Sequence, residues 1–203
     1  MRGTSIEEKD RIINPEDDAT AMHINFVTHN MGKLKEARLI LEPSVRVTHI
    51  NLEYDEVQHE DPVHVAKKSA EMVALLLNKP IVVDDSGLFI TALNGFPGTF
   101  SSTIYKQIGL KGLLKLMEGE KNKECFYRTA VAYCEPGKKA VAFLGEERAA
   151  LSTEIRGAHG FGHDPIIIPE GEIRTYGEIE GCEGQKKFRK SAFLQLKEYL
   201  AKR

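Results

Sequence analysis

Apolar and polar positions along this chain fall into three patterns that alternate in a definite order. Residues 81–83, Ile81-Val82-Val83, are apolar without alternation, the signature of a strand buried on both faces of a largely parallel sheet, and the run stops at two adjacent carboxylates, Asp84 and Asp85. His23-Ile24-Asn25-Phe26-Val27-Thr28 reads as a first strand passing straight into a helix with apolar positions Leu34, Ala37, Ile40 and Leu41. Two further apolar stripes have helical spacing: Val63, Ala66, Ala70, Val73, Ala74 and Leu77 within residues 62–78, and Phe188, Ala192, Phe193, Leu196 and Leu200 within residues 185–201. These and the first are the only long helices expected. Between residues 124 and 168 the pattern turns to strands: residues 126–134, a Glu135-Pro136-Gly137-Lys138 turn, residues 140–144 and further short strands. The order β-α-β-α-β, then a β-rich middle, then a terminal helix predicts an α/β fold with an elongated mixed central sheet and flanking helices.

Composition narrows the class. At 203 residues with no compositional break, residues 22–203 are expected to form one domain, preceded by a polar, acidic extension over residues 1–21, and Met22 is a candidate native start. Hydrophobic residues make up 41% and charged residues 29%, with formal net charge −2, which favours neither disorder nor a generic nucleic-acid surface; a polyanionic substrate must be held by local groups. Cys125, Cys134 and Cys182 are odd in number and lack metal-site spacing, and no apolar signal segment opens the chain, so a reduced, cytoplasmic protein is expected. The longest apolar stretches, such as residues 73–77, fall short of the roughly 20 residues that span a bilayer, so no membrane association is expected.

Four segments carry candidate chemistry, and each has an ordinary alternative. Asp84 and Asp85 repel one another unless a divalent cation sits between them and an incoming polyanion, yet Asp-Ser-Gly is also good turn chemistry. Thr28-His29-Asn30-Met31-Gly32-Lys33 opens a helix, where backbone N–H groups and a mobile cation favour an anion; it lacks the Walker spacing, and an Asn turn with a solvated lysine has the same look. Leu52-Glu53-Tyr54-Asp55-Glu56-Val57-Gln58 is acidic, which surface charge also explains. In Gly160-Phe161-Gly162-His163-Asp164-Pro165, glycines flank an aromatic, an imidazole and a carboxylate able to stack on and hydrogen-bond a base, or to form a tight Asp-Pro turn.

Taken together, the types, order and spacing of the four segments resemble the inosine triphosphate pyrophosphatase family over about residues 22–200. Thr28, Asn30 and Lys33 match its Thr-Gly-Asn-x-x-Lys loop, with His29 in place of glycine. Its Asp-Ser-Gly-Leu block and the following Ala-Leu-Asn-Gly-x-Pro-Gly fall on Asp85-Ser86-Gly87-Leu88 and on residues 92–98. Glu56-Val57-Gln58 matches its metal-site segment, and Phe161-Gly162-His163-Asp164-Pro165 its base-pocket loop, with His163 replacing a large aromatic. The match breaks at the final motif, Lys-Asn followed by Ser-His-Arg. There Glu183 stands at the lysine, Lys187-Phe188 at Ser-His, and only Arg189 survives, with Lys186 or Lys187 left to supply the missing cation.

The resemblance implies two lobes around a nucleotide cleft, a homodimer, and hydrolysis of ITP, dITP and XTP to the monophosphate and pyrophosphate by water attack at the α-phosphorus. It implies Mg²⁺ held by Glu56 and Asp85, with Asp85, aided by Asp84, orienting or deprotonating the water. Lys33, Asn30 and the loop amides would bind the phosphate tail, Phe161 would stack on the base, Asp164 would help fix it, and Arg189 would reach the base or its attached groups. Thr28, His29, Ser86, Gly162, His163 and Lys186 would be further substrate-binding residues. Because Phe188 and His163 depart from the pattern, base discrimination is expected to be weaker than in the family. Two alternatives stand beside this: a Maf-like nucleotide pyrophosphatase, whose Ser-Pro-Arg-Arg opening is absent here, and a nucleotide-binding regulator without turnover, against which the acid set Glu56, Asp84 and Asp85 speaks.

Overall fold

A computed structural model describes residues 22–203; the expected extension over residues 1–21 lies outside the described residues. Seven strands form one mixed sheet. Strands β1 (Met22–Val27), β2 (Val45–Ile50) and β3 (Ile81–Ile90) run parallel, connected by helices α1 (Met31–Leu41) and α2 (Pro62–Leu77). A two-residue strand β4 (Pro97–Gly98), helix α3 (Ser101–Leu116), the long strands β5 (Glu124–Cys134) and β6 (Val141–Leu151), short β7 (Ile167–Pro169) and helix α4 (Lys187–Leu200) follow. The sheet order is β2-β1-β3-β5-β6-β7, with β4 on β3, and every pairing from β3 onward is antiparallel.

The long strands are shared by separate apolar cores. On one face of the first half of β3 and the strand segments beside it, Phe26, Val82 and Val131 pack against Leu34, Ala37 and Leu41 of α1 and Ala192, Phe193 and Leu196 of α4. On the other face, Val27, Val83, Ala130 and Ala132 pack against Ala66, Ala70, Val73 and Ala74 of α2. A third cluster, around Leu88, Ile90, Leu113, Tyr127, Ile166, Tyr176 and Phe188, covers the second half.

Three expectations are revised. The apolar run at residues 81–83 is not a strand that stops at the carboxylates: β3 continues through Asp84 and Asp85 to Ile90, because β5 pairs with it along its whole length. The hairpin's second arm is one 11-residue strand rather than several short ones. Helix α3 was not anticipated. Its sequence has little apolar periodicity, and it is two helical pieces joined at Gly109, whose φ of 63° departs from helical geometry. Its start is tied down by Ser101, whose Oγ accepts the Leu88 N–H at 2.8 Å and donates to the Gly98 carbonyl at 2.6 Å.

Candidate active site

Where the parallel and antiparallel halves meet, the sheet forks. Strand β1 registers with β3 at Phe26 and Val82, and β4 at Leu88–Gly98 and Phe89–Pro97, so the intervening residues of β3 have a strand on one edge only. Such a switch in strand order is where open α/β sheets leave a crevice. It holds Asp84, Asp85 and Ser86 beside the β1–α1 loop.

Successive residues of a strand face opposite sides of the sheet, and this separates the two carboxylates. Asp84 shares the side of Val82, facing α1 and α4. There its carboxylate meets Lys33 Nζ at 3.2 Å, accepts hydrogen bonds from Arg189 Nη1 and, at 3.0 Å, from the Ser86 hydroxyl, while Thr129 Oγ1 stands at 3.4 Å. Burial alone would raise its pKa, but Lys33 and Arg189 outweigh it and hold Asp84 below the usual carboxylate value. Asp85 shares the side of Val83, facing α2 and the residue 51–60 loop. Its Oδ2 is buried with no hydrogen-bond partner, and burial, opposed by Lys33 and reinforced by Glu56 and Asp84, pushes it up to about 7. The repulsion expected between the two carboxylates is eased on the Asp84 side by Lys33 and Arg189, and Lys33 also acts on Asp85.

The β1–α1 loop is less open to an anion than its sequence suggests. Asn30 caps α1, its Oδ1 accepting the N–H groups of Gly32 at 2.9 Å and Lys33 at 3.2 Å, and the Asn30 N–H is itself bonded to Thr28 Oγ1. Those three amides are therefore already satisfied, and the Lys33 ammonium, also bonded to the Asp84 carbonyl at 3.2 Å, places a cation beside them. His29 is exposed, its Nδ1 3.1 Å from Asn51 Oδ1. Glu56 lies in the irregular loop before α2, exposed, and accepts the Tyr54 hydroxyl at 3.2 Å.

The base-side loop is built around Asp164. Its buried Oδ2 accepts the Phe161 N–H at 2.6 Å and Lys186 Nζ at 2.7 Å, and burial raises its pKa despite Lys186. Positive φ at Gly160 and Gly162 bends the chain tightly enough to bring this about. Phe161 is half-buried, its ring edge against Gly32 and the Lys186 ammonium 4.1 Å from the ring centroid. His163 points the other way, packing edge-on to Tyr105 at 5.3 Å, and burial lowers its pKa to about 4, so it is neutral.

At the terminal motif Arg189 is 2% exposed and committed internally: its Nε donates to Glu36 and its Nη1 to Asp84 and, at 3.2 Å, to Ser86. Phe188 turns into the core, stacked on Tyr127 at 4.8 Å. The Lys186 ammonium is buried against Asp164, whereas Lys187 is exposed. The sequence reading also missed Glu36, Thr129 and Glu147. Glu36 is fully buried beside the apolar stripe of α1, Thr129 Oγ1 lies 2.5 Å from Ser86 Oγ, and Glu147 accepts the Lys187 N–H at 2.8 Å, capping α4 from β6. One signal pointed to Glu36: it follows Lys33 by three residues, one helical turn.

Among the described residues no cluster of three or more His, Cys, Asp or Glu side chains forms a ready metal cage. Magnesium commonly takes one or two carboxylates and completes its shell with water and substrate phosphate, so the donor pair Asp85 and Glu56, one with an orphaned buried oxygen, fits it.

The Ham1 family model matches residues 24–199. A dITP/XTP pyrophosphatase from Methanopyrus kandleri is 45% identical over 159 residues, covering 78% of this chain and 85% of the relative. Another from Pyrobaculum aerophilum is 42% identical over 184 residues, covering 90% and 98%. Among solved structures, a HAM1 protein from Coxiella burnetii superposes with a TM-score of 0.75 at 25% identity, over 90% of this chain and 100% of that one. With the family pattern running across the forked sheet and both flanking loops, the chain belongs to the Ham1 family.

Proposed function

We propose that this chain hydrolyses non-canonical purine nucleoside triphosphates, ITP, dITP and XTP, to the nucleoside monophosphate and pyrophosphate. The observation that carries the chemistry is Asp85: a carboxylate in the fork of the sheet with a buried, unpaired oxygen, a depressing cation in Lys33 and a second carboxylate, Glu56, acting on it. The dITP/XTP pyrophosphatases that align with most of the chain support the substrate class.

In this mechanism Asp85 orients a water and accepts its proton as the water oxygen bonds to the α-phosphorus and the bridging P–O bond to the β-phosphate breaks. Lys33 holds the departing pyrophosphate, and Asp84, already committed to Lys33 and Arg189, sets the position of that ammonium rather than acting as a base. The exposed part of Phe161 offers a stacking surface, and Asp164 keeps its loop in place. Glu56 and Asp85 would hold Mg²⁺, which when bound neutralises phosphate charge. We further propose a homodimer in a cytoplasmic, reducing setting; light scattering over a range of concentrations tests the first.

The decisive assay incubates the protein with ITP, XTP, ATP, GTP, CTP and UTP plus Mg²⁺ and measures pyrophosphate and orthophosphate separately. Pyrophosphate from ITP and XTP is the expected result; no pyrophosphate from any triphosphate, or orthophosphate alone, overturns the proposal.

A further inference from the structure

A buried chain of alternating charges runs across the site: Lys33, Asp84, Arg189, Glu36, Lys186 and Asp164, each paired with the next. Five of the six are nearly inaccessible to solvent, with Lys33 at the outer end. Glu36 is its hub. Its Oε1 lies 2.8 Å from Lys186 Nζ and its Oε2 accepts Arg189 Nε. Beyond Lys186 lie Asp164 and the Phe161 loop; beyond Arg189 lie Asp84, Ser86 and the Lys33 ammonium.

Replacing a buried ion pair by apolar side chains of similar volume is often neutral or stabilising, so folding alone is a weak reason for six such charges. The cations are also badly placed for their own helix. Lys186 and Arg189 sit at the N-terminal end of α4, the positive end of the helix dipole, and something negative has to hold them there. We propose that Glu36 is a positioning residue that sets the base-side loop and the phosphate-side cation in one fixed relation, and thereby a determinant of base selectivity. This rests on the function proposed above.

Glu36→Gln keeps the side-chain volume and removes the charge. A misplacement of about 1 Å at a reacting centre costs on the order of a hundredfold in rate, so kcat/KM for ITP should fall by about that factor. The ratio of kcat/KM for ITP over GTP should fall with it toward unity, which a loss of stability measured well below Tm would not cause. Calorimetric binding of IMP and GMP reads the base-side arm without turnover: the wild type should prefer IMP and the variant should not. A wild type that hydrolyses no triphosphate refutes the proposed function alone. A variant that keeps the wild-type preference for IMP, or a wild type with no preference, overturns the role of Glu36. If Glu36→Gln gives no cooperative thermal transition, the double variant Glu36→Gln with Lys186→Met removes one charge of each sign. It should lose the IMP preference and bind inorganic triphosphate more weakly than the wild type, because both arms held by Glu36 are released; a retained preference, or inorganic triphosphate bound as tightly as by the wild type, overturns the proposal.

Discussion

The two faces of β3 treat adjacent carboxylates in opposite ways. On the α1–α4 face Asp84 is paired with two cations and a hydroxyl, and its acidity is enhanced. On the α2 face Asp85, one residue on, has an unpartnered buried oxygen and an acidity suppressed toward neutrality. A buried carboxylate held in ion pairs contributes to the placement of its neighbours, whereas one without an ion pair costs stability and is retained where a ligand or a proton completes it. The contrast is what supports the proposal that gives a positioning role to Asp84 and the chemistry to Asp85.

The largest effect that can break the contrast is on rate. Asp85→Asn should lower pyrophosphate release by about a hundredfold to ten-thousandfold, the usual span for a lost general base, while leaving the fold intact. Retention of more than about a tenth of the activity would place the chemistry elsewhere. Asp84→Asn should show itself in stability first. Breaking a buried ion pair costs about 3–5 kcal/mol, and at about 2–4 °C per kcal/mol for a chain of this size the thermal midpoint should drop by roughly 6–20 °C. A midpoint unchanged within error would mean that the pairing with Lys33 and Arg189 is energetically empty.

Lys33→Ala removes one charged contact from the phosphate tail, worth about 1.5–3 kcal/mol, so triphosphate affinity should weaken by about ten- to a hundredfold and monophosphate affinity hardly at all. Equal losses for both nucleotides, in a calorimetric titration, would put Lys33 away from the tail.

The two carboxylates also have opposite signs in stability against pH. Asp84, with its folded pKa depressed, contributes stability that is present above the ordinary carboxylate value of 3.8 and is lost as pH falls through the folded value. Asp85, raised to about 7, binds a proton more tightly in the folded state, so metal-free protein loses stability as pH climbs from about 4 to about 7. Asp85→Asn should flatten that decline and raise the midpoint at pH 8 by several degrees. Added Mg²⁺ should stabilise the wild type at the same pH and do much less for the variant. A variant with the wild-type slope, in melts run without metal, would contradict the assignment of the shift to Asp85. The smallest effect tests the β1–α1 loop: Asn30→Ala removes the cap of α1 and should cost about 1 kcal/mol, or some 2–4 °C, in a thermal melt.

The local elements of this protein were legible because each is specified by residues close together in the chain. The stripe from Ala66 to Ala74 made α2, with Asp61 capping its start and Asn78 in the left-handed conformation ending it. The Pro136-Gly137 turn made the β5–β6 hairpin. Helix α3 escaped because Gly109 and Gly112 interrupt its periodicity and its start is held by contacts with β3 and β4 rather than by a cap of its own.

The residue types of the site were legible too: Glu56, Asp84, Asp85, Lys33 and the Phe161–Asp164 loop are all present in the sequence as separate segments. What only the tertiary structure decided is which of them are spent on one another. Strand period assigns Asp84 and Asp85 to opposite faces, but that period applies only once β5 has extended the strand beyond Val83. Arg189, expected from the sequence at the base, is tied internally to Glu36, 153 positions away. Lys186 acquires its partners from α1 and from the loop 22 residues before it. Charges attract across any sequence separation, and their pairing is set by the low-dielectric space that the packed helices enclose, a property of the folded chain and of no single segment of it.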